Sequence, residues 1–168
     1  MTTLYTASIP VFKQMITALS EVLTKAEAHA TEKRIDPNVL LQSRLFPDMF
    51  PLIRQVQIAT DFAKSVPSRL AGIEVPAYDD SEQSFAELQS RIKNTLALLD
   101  GFKSDQINGQ ESLEIVLRAG TPKEKKLSGE TYLFNYGLPQ FFFHVTTAYD
   151  ILRHNGIEIG KRDFMGAY

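Results

Sequence analysis

The segment from 138 to 156 constrains the fold most, because it is strongly amphipathic and both of its ends are marked. Pro139 suits the first turn of a helix, where its missing N–H is not needed. Gly156 suits the left-handed residue that closes a helix. At about 100° per residue, the spacing i, i+4, i+7, i+11 places four apolar side chains on one face: Phe141, Val145, Ala148 and Leu152. The segment is therefore predicted to be a helix whose apolar face packs on a core.

Two histidines of this helix are predicted to differ in environment. His144 lies on the flank of the apolar face, and His154 lies on the side that points away from it. They are ten positions apart, which separates them by about 80° around the axis, so a regular helix cannot direct both at one metal. Two interpretations of His144 stay open. It is either a core histidine bonded to a tyrosine or a backbone carbonyl, or a ligand or general base in an interior pocket.

Three further segments have the helical period. The first helix is predicted over 10–29, the second over 48–65 and the third over 85–99. A capping box at Ser84 and Glu87 marks the start of the third helix, and Asp36 before Pro37 predicts a short helical turn through residue 41. Pro67 is expected to kink or restart the second helix, which would then end at Gly72.

Residues 111–136 change to an alternating period, which is typical of strands. The alternating apolar residues are Leu113, Ile115 and Leu117, followed after a polar loop by Tyr132, Phe134 and Tyr136. We therefore expect a short β-hairpin or extended excursion between the third and fourth helices. The predicted fold is an all-α four-helix bundle that forms a single domain over residues 1–168. Apolar residues of the tail, Ile157, Ile159 and Phe164, are expected to pack back onto it.

Composition excludes several classes of protein. The chain has 168 residues, and its formal net charge of −2 comes without any basic block, so nucleic-acid binding has no electrostatic support. It contains no cysteine, which excludes disulfides, thiolate ligands and a cysteine nucleophile. No apolar run approaches the roughly 20 residues that span a bilayer, and no signal-peptide pattern begins the chain. We expect a soluble cytoplasmic protein that binds neither nucleic acid nor membrane.

Two long segments carry a family resemblance. DMFPLIRQVQIATDFAK (48–64) and LPQFFFHVTTAYDILRHNGIEIGKRDFMG (138–166) resemble the signature regions of a family of uncharacterised bacterial and fungal proteins. That family is grouped with the DinB-like, or YfiT-like, metalloenzyme superfamily. The resemblance extends over nearly the whole chain and implies a DinB-like four-helix bundle, often as a homodimer. Many superfamily members bind a divalent metal through three histidines, one on the second helix and two at HxxxH spacing on a late helix. Some are thiol-dependent transferases or isomerases.

The chain departs from that metal-binding pattern. Its second helix has no histidine, and the positions four residues before and after His144 are Gln140 and Ala148. We therefore predict no metal and no cofactor. The polar residues of the second helix, Arg54, Gln57, Asp61 and Lys64, form either a solvated face or the lining of a polar pocket or dimer seam. The candidate pocket residues are His144, Gln57, Asp61 and Arg54, and no catalytic residue is identified.

Two functions remain open at this point. The first is a dimeric ligand-binding or interaction module whose superfamily metal site is degenerate, and which takes a small molecule. The alternative is an enzyme of unknown reaction, metal-dependent or acid–base and transferase- or isomerase-like, that uses an interior pocket near His144. Aromatic surface around Phe142 and Phe143 supports the expected homodimer.

Overall fold

A computed structural model describes residues 2–168. Its elements in chain order are α1 (Ile9–Lys33), α2 (Pro37–Leu41), α3 (Leu52–Leu70), α4 (Phe85–Asp100), α5 (Ser104–Ile107), β1 (Glu114–Leu117), β2 (Lys125–Ser128), α6 (Gly129–Thr131), a π-helical turn (Tyr132–Gly137), α7 (Leu138–His154) and α8 (Lys161–Met165). The four long helices α1, α3, α4 and α7 correspond to the four predicted helices. The predicted fold, a helical bundle with a hairpin between its third and fourth helices, is confirmed.

The long helices enclose one hydrophobic core. Helix α3 packs against both α4 and α7, while α1 packs against α4, α7 and α3. The predicted apolar face of α7 is buried along its whole length. At its centre, the ring of Phe12 from α1 meets the ring of Phe141 edge to face, with 4.8 Å between centroids. Burial of these faces, more than the helical propensity of any segment, holds the helices together.

The predicted caps form at α2 and α4. The Asp36 carboxylate accepts the Asn38 N–H at 2.9 Å. The Ser84 hydroxyl accepts the Glu87 N–H at 3.2 Å, and the Glu87 carboxylate accepts the N–H of Gln83 at 2.6 Å. The bonds to Asp36 and Ser84 each satisfy a backbone donor that the first turn leaves without a helical partner, and the bond from Gln83 fixes the residue just before the N-cap.

Helix α3 begins later than predicted and includes Pro67. It begins at Leu52, because Pro51 is extended (φ −70°, ψ 166°) and acts as the N-cap, and the Leu52 N–H bonds to the carbonyl of Ser43 at 2.9 Å. The helix continues through Pro67 without a restart and ends at Leu70, close to the predicted end at Gly72. Proline costs about 3 kcal/mol inside a helix, but this one lies in the last turn, where fully buried neighbours on both sides keep the chain packed.

The hairpin pairs different strands from those predicted. β1 lies where the alternation placed it and pairs antiparallel with β2, so that Ile115 faces Leu127. The second predicted strand, at 132–136, is wrong. Ser128 instead caps a helical start by accepting the Thr131 N–H at 3.2 Å. The adjacent side chains of Tyr132 and Leu133 are both buried, which an alternating strand facing solvent on one side does not allow.

The tail packs onto the bundle as predicted. Ile157 and Ile159 are buried, and Phe164 meets Tyr149 at 5.6 Å between ring centroids. Helix α8 lies along α1, where Asp163 pairs with Lys25. Within residues 2–168, no helix combines the length and the apolar character that crossing a membrane requires.

Candidate functional site

His144 belongs to α7, and its side chain contacts α3. The residue is 7% exposed. The ring of Phe62 stacks on its imidazole at 6.2 Å, and the ring of Phe143 meets it edge-on at 5.2 Å. His154, on the same helix, is exposed. The predicted orientation of both histidines is therefore confirmed. The partner of His144 is neither a tyrosine nor a backbone carbonyl, because its Nδ1 lies 2.7 Å from Oε1 of Gln55.

The hydrogen bonds around Gln55 determine which tautomer His144 adopts. The Gln55 amide nitrogen donates to the carbonyl of Phe50 at 3.0 Å, so the amide oxygen is the atom that faces the imidazole. An amide oxygen only accepts, and Nδ1 must therefore carry the proton, which leaves the lone pair on Nε2. Every fully buried side-chain nitrogen and oxygen within residues 2–168 has a hydrogen-bond partner. The Nε2 atom of His144 has no hydrogen-bond partner among these residues, so it is not fully buried and retains contact with solvent.

The imidazole is uncharged at neutral pH. Burial and, as the smaller effect, the nearby positive charge of Arg54 together lower the pKa of His144 to about 4. Both effects disfavour a second positive charge at this position. His144 therefore presents one hydrogen-bond acceptor, Nε2, at the surface between two helices.

The other three predicted pocket residues, Arg54, Gln57 and Asp61, lie along α3 but form a separate cluster. The Gln57 amide donates to Glu82 at 2.8 Å. The Asp61 carboxylate lies 3.0 Å from the Lys64 ammonium, and Arg54 pairs with Asp80. A short acidic segment, residues 78–82, covers this face of α3. The interpretation as a solvated face is therefore wrong, because Gln57 and Lys64 are buried beneath that segment.

Arg91 is the centre of this cluster, and sequence reasoning missed it. Its side chain is 2% exposed. Its guanidinium donates to the hydroxyl of Thr60 at 2.6 Å, to Asp61 at 2.7 Å and to Glu82 at 3.0 Å. A weak signal existed in the sequence, since position 91 lies at the edge of the apolar face of α4, next to the buried Ile92. A charged residue at such a position requires paired partners.

The ring of Tyr78 completes the cluster. The Lys64 ammonium lies 3.6 Å from the centre of this ring, and the Arg91 guanidinium carbon lies 4.9 Å from it, which are cation–π distances. Burial alone would raise the pKa of Asp80, but hydrogen bonds and charges from Arg54 and Arg91 lower it. These charges satisfy one another, so the cluster anchors the acidic segment to the bundle and does not leave a reactive group free.

The donor groups do not fit the metal centre that the superfamily implies. His144 offers one nitrogen, while its neighbour Gln55 uses its amide oxygen to accept the Nδ1 proton. In the part of the chain that the structure describes, no three His, Cys, Asp or Glu side chains converge so that they could hold a metal ion. A single imidazole is too small a ligand set for tight binding of a divalent metal.

Comparisons with known proteins agree with this fold. A family described as "Domain of unknown function (DUF1993)" matches residues 4–165. None of the curated proteins matches the chain. A crystal structure of a DinB family member protein from Shewanella denitrificans is similar to it, with 42% sequence identity and a TM-score of 0.92. The similarity covers 98% of this chain and 93% of that one. The chain belongs to the DUF1993 family, an uncharacterised family with the DinB-like helical fold.

Proposed function

We propose that the protein binds a small organic molecule at the surface between α3 and α7, where His144 accepts a hydrogen bond from the ligand. The observation that carries the proposal is the oriented tautomer: Gln55 holds the Nδ1 proton, and Nε2 is free to accept. The rings of Phe62 and Phe143 flank the imidazole and offer apolar surface to a flat ligand. A neutral acceptor between aromatic walls suits an amide, alcohol or heterocyclic N–H donor.

Binding has more support than proton transfer. A general base works best when its pKa lies near the operating pH. The pKa of His144 lies at about 4, so near pH 7 the imidazole is a weak base. The enzyme alternative would require a bound substrate that raises this pKa considerably, and the nearby charge of Arg54 opposes such a change.

Fragment screening by ligand-observed NMR tests the proposal. The set would contain small planar molecules with N–H or O–H donors, screened at pH 7 against the wild type and His144→Phe. Phenylalanine keeps a ring between Phe62 and Phe143 but has no lone pair. We expect a subset of fragments to bind the wild type and to lose binding in the variant, while His154→Phe behaves like the wild type. A screen in which no fragment separates wild type from His144→Phe contradicts the proposal.

We also propose that the protein is a homodimer, as the family resemblance implies. Support comes from large exposed aromatic side chains: Phe46, Phe50 and Phe143 are each more than half exposed. The carbonyl of Phe50 and the ring of Phe143 both lie next to the Gln55–His144 pair, so these two aromatics share one region of the surface. Such exposed apolar surface is typical of protein interfaces.

Light scattering at micromolar concentration tests the homodimer. We expect a mass of twice the 18.9 kDa of one chain, and we expect Phe143→Ser to shift the population toward that of a single chain. A wild-type mass of one chain would contradict the proposal. The cytoplasmic location expected from the sequence stays a prediction.

A further inference from the structure

A cavity lies between α3, the end of β1 and the π-helical turn. Its volume is about 220 Å³, which is smaller than the pockets that hold drug-sized ligands. Seven residues line it: Asp61, Phe62, Ser65, Arg69, Leu117, Arg118 and Tyr136. His144 does not line this cavity, because the ring of Phe62 lies between them and stacks on the imidazole.

Two arginines of this cavity have no carboxylate partner. Within residues 2–168, no carboxylate oxygen lies within ion-pair distance of Arg69 or Arg118. The only side-chain hydrogen bond of Arg69 goes to the hydroxyl of Tyr132, at 2.9 Å, and the guanidinium of Arg118 has none among the described residues. Asp61 also lines the cavity, but Lys64 and Arg91 already compensate its charge.

The cavity is therefore positively charged, and its uncharged walls are suited to a ligand with an apolar part. The rings of Phe62 and Tyr136 lie 6.0 Å apart and form one wall. Ser65 and Tyr136 line the same space. Guanidinium groups present paired N–H donors that match the oxygens of carboxylates and phosphates.

We propose that this cavity binds the oxyanion group of a small organic acid, with Arg69 and Arg118 as its two cationic contacts. The aromatic wall then receives the apolar body of the ligand. Arg118 has a positive φ of 53°, a conformation that residues other than glycine adopt rarely. This conformation turns the backbone at the end of β1. The proposal does not depend on ligand binding at His144, because the two sites use different polar groups.

Isothermal titration calorimetry on the intact protein at low salt and pH 7 tests the proposal with two probes, sodium benzoate and inorganic phosphate. We expect at least one probe to bind one to one with a dissociation constant of about 1 mM or tighter. Preference for benzoate would identify a carboxylate with an apolar body as the ligand, and preference for phosphate would identify a phosphate group. Arg118→Gln should weaken binding at least tenfold, since hydrogen bonds to charged groups are among the strongest in proteins.

The matched control is Arg153→Gln, which makes the same charge change at an exposed arginine on α7. It should change the dissociation constant less than twofold. Arg69→Gln should also weaken binding, but it removes the partner of the buried Tyr132 hydroxyl, so its melting temperature must be measured alongside. The proposal is wrong if neither probe binds at concentrations up to about 10 mM, or if Arg118→Gln weakens binding no more than Arg153→Gln.

Discussion

Replacing Arg91 by methionine would show how much the buried charge cluster contributes to the free energy of unfolding. Methionine preserves most of the side-chain volume, so the change removes the charge without opening a large cavity. In the wild type, the guanidinium contacts Asp61 at 2.7 Å and Glu82 at 3.0 Å, and its side chain is 2% exposed. In the variant, these carboxylates and the hydroxyl of Thr60 lose their shared donor.

The size of the effect depends on how well the remaining carboxylates can regain water. Removing one partner of a buried ion pair costs about 3–5 kcal/mol. The side chains of Asp61 and Asp80 are 35% and 38% exposed and can be rehydrated, whereas that of Glu82 is only 12% exposed. We therefore expect a loss at the lower end, about 3 kcal/mol. For a chain of this size, that loss lowers the melting temperature by roughly 6–12 °C.

Urea unfolding followed by circular dichroism measures the loss directly. Lys13→Met is the matched control, because it breaks the Lys13–Asp100 pair, in which the two side chains are 43% and 60% exposed. Exposed pairs contribute about 0–1 kcal/mol. If Arg91→Met loses less than about 1 kcal/mol, or no more than Lys13→Met, the cluster does not stabilise the fold in the way we infer.

Three further changes test other parts of the structure. The pKa of His144 is 6.5 in the unfolded chain and about 4 in the folded one, so between these values the unfolded state binds one more proton and stability declines as pH falls from about 6.5 to 4. His144→Gln should remove up to about 3 kcal/mol of this pH dependence in urea titrations, whereas His154→Gln should show the same pH dependence as the wild type. Gly137→Ala should lower the melting temperature by several degrees, because its Cβ would lie 2.7 Å from a valine methyl group of α3, whereas Gly160→Ala, which meets nothing within 4 Å, should leave it unchanged in scanning calorimetry. Ser84→Ala should cost about 1 kcal/mol in urea unfolding by removing the N-cap of α4, and an unchanged midpoint would contradict the role of that cap.

The four long helices could be predicted because their pattern is local. Apolar spacing, the cap at Ser84 and the glycine after α7 each act over a few residues. The π-helical turn could not be predicted in this way. Its alternating aromatic residues resemble a strand, but Pro139 has no N–H, and the Leu138 N–H bonds to the carbonyl of Leu133, five residues back. Tertiary packing outweighed the local preference of this segment.

The candidate site was predictable only in part. The burial of His144 followed from the periodicity of α7, but its partner Gln55 was missed, although Gln55 lies on the buried side of α3 between Leu52 and Ala59. Gln57 and Asp61 were recognised as polar residues of the second helix. Their partners could not be predicted, because the acidic segment lies about 20 residues away, in a stretch without regular structure, and no periodicity relates the two.

The acidic segment has a consequence for local unfolding. Its residues 78–82 carry no hydrogen-bonded secondary structure, and charges hold them to α3 and α4 instead of a broad apolar face. Hydrogen bonds and charges from Arg54 and Arg91 lower the pKa of Asp80, so this anchoring weakens as acid protonates the carboxylate. The segment can therefore detach as a unit of its own while the core remains folded. At a pH below the ordinary aspartate pKa of 3.8, the connection between the second and third long helices becomes the part of the bundle that a protease reaches first.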